Sequence, residues 1–142
     1  MRSIVEVPGA VRQARTLWFV AVGAGVFETV LVVASGRAGD GAVAGVALRA
    51  VVFGAALFTT LRMYRGQRWA RLALAIGLGV LGTLSIVVDP LLWLADGNSV
   101  TEVIRKSGGV DLLFGGSRVL HVGAVLTACG LMFTPRANRY FR

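Results

Sequence analysis

The sequence predicts an all-α, polytopic membrane protein, one domain built as a bundle of four transmembrane helices. Three observations predict it. Hydrophobic residues make up 56% of the chain and charged residues 15%, with a mean hydropathy of +0.73. A soluble domain carries roughly 25% charged residues to coat its surface. Four apolar runs also follow one another at spanning length, at residues 17–35, 42–64, 69–88 and 110–133. About 20 residues of helix cross a hydrocarbon core of about 30 Å. The basic residues, finally, gather in the connectors and tails and are sparse in the runs.

The first run opens after Arg12 and Arg15 and contains Glu28. A cleaved signal peptide is the competing reading, since small residues stand near Ala34 and Ser35. The apolar stretch, however, exceeds the usual 7–15 residues and holds an acid, which favours a retained helix. The second run is interrupted by Arg49, and the third starts at Trp69, an aromatic placed among arginines as an interfacial anchor. Asp89-Pro90 is expected to end the third helix, because proline disfavours helix at the residue before it. Trp93 then falls at the outer interface, and residues 98–106 form a short surface helix closed by Gly108-Gly109. The fourth run carries Arg118 and His121, and Pro135 stops it. Tyr140 and Phe141 are expected to fold back onto the inner interface. In lipid every backbone group needs an internal partner, so the runs are helices and not strands with open edges.

Orientation follows from the placement of arginine and lysine. Arg2, Arg12, Arg15, Arg62, Arg65, Arg68, Arg71, Arg136, Arg139 and Arg142 fall on one side with Glu6 as the only acid. Arg37, Arg105 and Lys106 fall on the other, with Asp40, Asp96 and Glu102. Both termini and the middle loop are therefore expected in the cytoplasm, in a plasma membrane, with the basic rim drawing anionic lipid headgroups. The net charge of +8 does not indicate nucleic acid, because the basic residues form no face or platform that would read it.

Glu28, Arg49 and Arg118 are the candidate site. Counted along their helices, all three lie about 10–12 Å below the outer boundary, at 1.5 Å per residue. An unpaired charge in hydrocarbon costs at least about 2.5–3.5 kcal/mol. Pairing inside the bundle relieves that cost, with Asp89 or Asp111 available to balance the second arginine. A structural network, a binding or transport site, and snorkelling to the headgroups are the three readings. His121 falls one turn deeper than Arg118 on nearly the same face. It is a packing histidine or, alternatively, a ligand or proton relay. A second histidine is missing, and Met1, Met63 and Met132 are placed toward the other end.

No cofactor or metal is expected. The sequence has no phosphate-binding glycine loop, no zinc spacing, and no nucleophile beside a base. Cys129 is alone in an apolar run and behaves as a small hydrophobe. Pairs of small residues, Gly41/Gly45, Ala21/Gly25, Ala75/Gly79 and Ala124/Ala128, mark places where helices can approach closely.

Arginine supplies all the basic residues but Lys106, the bias of a GC-rich genome. Two segments carry a resemblance: Arg65-Gly66-Gln67-Arg68-Trp69-Ala70-Arg71 and Phe133-Thr134-Pro135-Arg136-Ala137-Asn138-Arg139-Tyr140-Phe141. With the four-helix layout, they resemble small uncharacterised integral membrane proteins of actinobacteria. That resemblance bears on source and topology and implies no activity. The expected function is a non-catalytic accessory or assembly subunit of a cell-envelope complex, held by the bilayer and a membrane-protein partner or second copy. The alternative is a small oligomeric transporter or channel using the charged cluster.

Overall fold

A computed structural model of the chain describes residues 6–142, so Met1 and Arg2 lie outside the described residues. Six helices follow in order: α1 (Gly9–Ala34), α2 (Ala42–Tyr64), α3 (Arg68–Ala95), α4 (Val100–Lys106), α5 (Gly109–Met132) and α6 (Pro135–Tyr140). No strand occurs among the described residues. α1, α2, α3 and α5 are each long and apolar enough to cross a membrane. The chain is a four-helix membrane bundle, as its hydropathy predicts.

α1 and α5 form the central antiparallel pair. Their seam runs from Trp18 against Met132, through Ala24 beside Ser117, to Glu28 beside Arg118. Small residues allow the approach: Ala21 and Gly25 on one helix, and Ala124 and Ala128 on the other, are all buried. A Cβ on Gly25 would lie 2.8 Å from the Phe53 ring, so this glycine also admits α2. Gly41 and Gly45 meet nothing within 4 Å and take no part in helix packing.

The bundle is tight at one end and loose at the other. Trp18, Met63, Leu74, Met132 and Phe141 are fully buried at the arginine-rich end. Residues 83–95 of α3, toward the far end, include none that is buried. This core explains why α1 begins at Gly9, ahead of the apolar run expected from residue 17. Val11 and Ala14 are buried in it, and burial there carries the helix past its polar residues.

α3 departs from expectation in two ways. It does not stop at Asp89-Pro90 but continues to Ala95, with Pro90 inside the helix. Proline removes one helical hydrogen bond, at about 3 kcal/mol. Ending a helix among apolar residues would instead strand several backbone groups in lipid, at several kcal/mol each. Continuation is the cheaper arrangement. Residues 74–82 are wound as a π-helix, wider than the rest. That turn presents Gly79 to α5, where a Cβ would lie 2.7 Å from Cys129 Sγ.

The connectors follow local rules. Gly66 links α2 to α3 with φ +81°, a conformation that L side chains rarely adopt, and the Tyr140 ring lies 3.5 Å from where its Cβ would be. The surface helix expected near residues 98–106 is α4, with Asn98 Nδ2 donating to the carbonyl of Trp93 at 2.8 Å.

Candidate functional site

Of the intramembrane charges, the structure brings Glu28 and Arg118 together. Arg118 Nε lies 3.8 Å from Glu28 Oε2, close enough for Coulomb attraction and too far for a hydrogen bond. The Glu28 side chain is 12% exposed and that of Arg118 37%. The Arg118 guanidinium lies over the Phe114 ring, 4.6 Å from its centroid, one turn back along α5. Long side chains on a helix lean toward its N-terminus, and the Phe114 contact shows Arg118 doing so.

The pair is held by its neighbours. Ser117 Oγ donates to the Ala24 carbonyl at 3.3 Å, one turn from Glu28, and ties the two helices at that level. Thr29 Oγ1 donates to the Gly25 carbonyl at 2.8 Å. Even so, Glu28 Oε1 and Arg118 Nε are buried without a hydrogen-bond partner. The site thus has an oxygen free to accept and a nitrogen free to donate, in a setting where neither reaches bulk water.

The other members of the predicted cluster lie elsewhere. Arg49 is exposed on α2 and forms no ion pair or hydrogen bond among the described residues. Equal depth does not bring it to Glu28, because Arg49 is exposed on α2 and not turned into the bundle. Asp89 is likewise exposed, on α3. Asp111 pairs with Arg37, not Arg118, at 2.7 Å, and accepts from the backbone N–H of Gly108 at 3.1 Å. It caps the start of α5, a role that an acid at the third helical position performs. His121 lines a small cavity of 150 Å³ with Trp18, Phe53 and Ser85, and forms no hydrogen bond among the described residues. No group of three His, Cys, Asp or Glu side chains placed to hold a metal occurs among the described residues.

A second polar cluster, unanticipated as a unit, stands at the arginine-rich end. Arg71 Nη1 donates to the Met132 carbonyl at 3.3 Å and to Asn138 Oδ1 at 2.7 Å. Its guanidinium lies 4.7 and 4.8 Å from the ring centroids of Phe133 and Phe141. Arg68 Nε donates to the Phe141 carbonyl, and Tyr140 OH donates to the Tyr64 carbonyl at 2.6 Å. Arg15 covers the Tyr64 ring at 4.1 Å. Residues 65–71 and 133–141 are therefore halves of one contact, locking the start of α3 to α6. Arginines that the sequence presents as rim charge are here stacked and hydrogen-bonded.

Trp69 is half exposed and donates to Gln67 Oε1 at 2.8 Å. Trp93 is 37% exposed and lies in α3 rather than in a loop. Burial, and then the neighbouring Tyr64, push the Tyr140 phenol above its ordinary value of 10.0. No known protein family, curated protein or solved structure matches the chain.

Proposed function

We propose that the chain is a non-catalytic accessory or assembly subunit of a cell-envelope complex, seated in the plasma membrane with both termini and the arginine rim in the cytoplasm. The observation that supports it is Arg49. Its side chain leaves the bundle at hydrocarbon depth with no acid beside it among the described residues. A lone charge there costs at least about 2.5–3.5 kcal/mol, which a carboxylate on another membrane helix would offset. The rim's excess of arginine supports the orientation. Gentle detergent extraction from native membranes should recover the protein with a stoichiometric membrane partner or a second copy, and Arg49→Leu should release it. Recovery of the unsubstituted chain as a monodisperse monomer overturns the proposal. A reporter fused after Arg142 should be active only in the cytoplasm.

A second reading, a small oligomeric carrier, draws on Glu28 Oε1, buried with no partner and so available to a proton or cation. Proton flux in proteoliposomes lost on Glu28→Gln would favour it. Unchanged flux would dismiss it.

A further inference from the structure

We infer that the end of the bundle opposite the arginine rim binds an anionic phospholipid, with one acyl chain in the cleft between α3 and α5 and its phosphate on Arg118. The cleft holds about 830 Å³ and is walled by Ile86, Pro90 and Trp93 from α3, Val103 from α4, and Val122 from α5. It lies at the end of the bundle away from the packed core, where no residue of α3 between 83 and 95 is buried. Apolar walls open to the bilayer take up hydrocarbon chain, which is the solvent on that side.

Among the described residues, Arg118 is the one charged residue on the cleft wall. A guanidinium has five N–H donors, and Arg118 donates no hydrogen bond among the described residues. Its contact with Glu28 is Coulombic and occupies one edge at 3.8 Å. The Phe114 stack raises the guanidinium about one turn toward the membrane surface, the direction from which a headgroup arrives. Local thinning of the bilayer around arginine closes the remaining distance. A phosphate diester supplies the planar pair of acceptors that arginine binds best.

Trp93 on the cleft wall makes the site readable by fluorescence. The Trp69→Phe protein is reconstituted into vesicles of equimolar phosphatidylglycerol and phosphatidylcholine, with brominated chains on one lipid at a time. Trp18, fully buried, remains as constant background. Brominated phosphatidylglycerol should quench Trp93 as though enriched roughly fivefold, the factor that one basic group contributes toward anionic lipid. Arg118→Gln should bring its quenching down to that of phosphatidylcholine. Gly115→Leu should do the same with Arg118 intact, since Gly115 borders the cleft and a Cβ there meets nothing within 4 Å. The leucine variant decides the matter should the charge variant fail to fold. Equal quenching by both lipids in the Trp69→Phe protein, as when only water meets Arg118, overturns the inference. So does a preference that survives either substitution.

Discussion

Cys129 Sγ fills the space that a side chain on Gly79 would need, 2.7 Å from the position of its Cβ. The π-wound stretch of α3 brings the glycine there, and the approach seats α3 on α5. Gly79→Ala should destabilise the bundle by about 1–3 kcal/mol, the range for overpacking. Cys129→Ala removes the sulfur, and in that background the same glycine substitution should cost much less. Thermal unfolding in detergent, followed by circular dichroism, measures both, and an unchanged midpoint in Gly79→Ala alone would refute the contact.

Arg71 should matter for shape as well as charge. Lysine keeps the charge but loses the planar stack on Phe133 and Phe141 and the fork to Met132 and Asn138. We expect Arg71→Lys to lower stability by about 1–2 kcal/mol, given what cation–π contacts and charged hydrogen bonds contribute. Limited proteolysis of the C-terminal segment should speed up in step. A lysine variant as resistant as the parent would contradict this.

Glu28 and Arg118 should be energetically coupled. In a double-mutant cycle with glutamine at each position, the interaction energy should fall at about 0.5–3 kcal/mol, in the lower half because no hydrogen bond joins the pair. Each single change leaves the other charge without its partner in the bundle, so the double variant should be more stable than the two single costs predict. Simple additivity would mean that the two groups do not interact. Arg49→Gln, by contrast, should show no coupling to Glu28.

Alkali should loosen the arginine-rich end through Tyr140. Its phenol is raised in the folded protein by burial and by Tyr64, so the folded state holds the proton more tightly than the unfolded chain. The stability this contributes is complete below the ordinary phenol value and is lost as pH rises through the raised one. Melting temperature should therefore fall above about pH 10, and Tyr140→Phe should flatten that part of the curve. At neutral pH the same variant should lose about 0.5–1.5 kcal/mol, the hydrogen bond to the Tyr64 carbonyl. An unaltered alkaline slope in the phenylalanine variant would assign the effect to another group.

The spanning helices were legible because hydropathy is a property of contiguous residues. α2 spans the expected residues 42–64, and α5 agrees within a residue at each end. Asp89-Pro90 misled because the stop signal it carries in water is outweighed by the need to satisfy the backbone in lipid. Of the cluster read from depth, only Glu28 and Arg118 meet. Depth follows from counting residues along a helix, whereas the direction around the helix axis depends on which neighbours it packs against. Asp111 carries a local capping signal in the sequence, an acid three residues after the glycine that precedes α5.

By itself the sequence determined that four helices cross a bilayer and that arginine crowds one end of them, since both follow from transfer energies summed along the chain. Tertiary structure decided which charges touch, that the core gathers at the arginine-rich end, and that a cleft remains between α3 and α5 at the other. Those outcomes rest on contacts between residues as distant as Gly79 and Cys129, where a few tenths of an ångström separate a close fit from a clash.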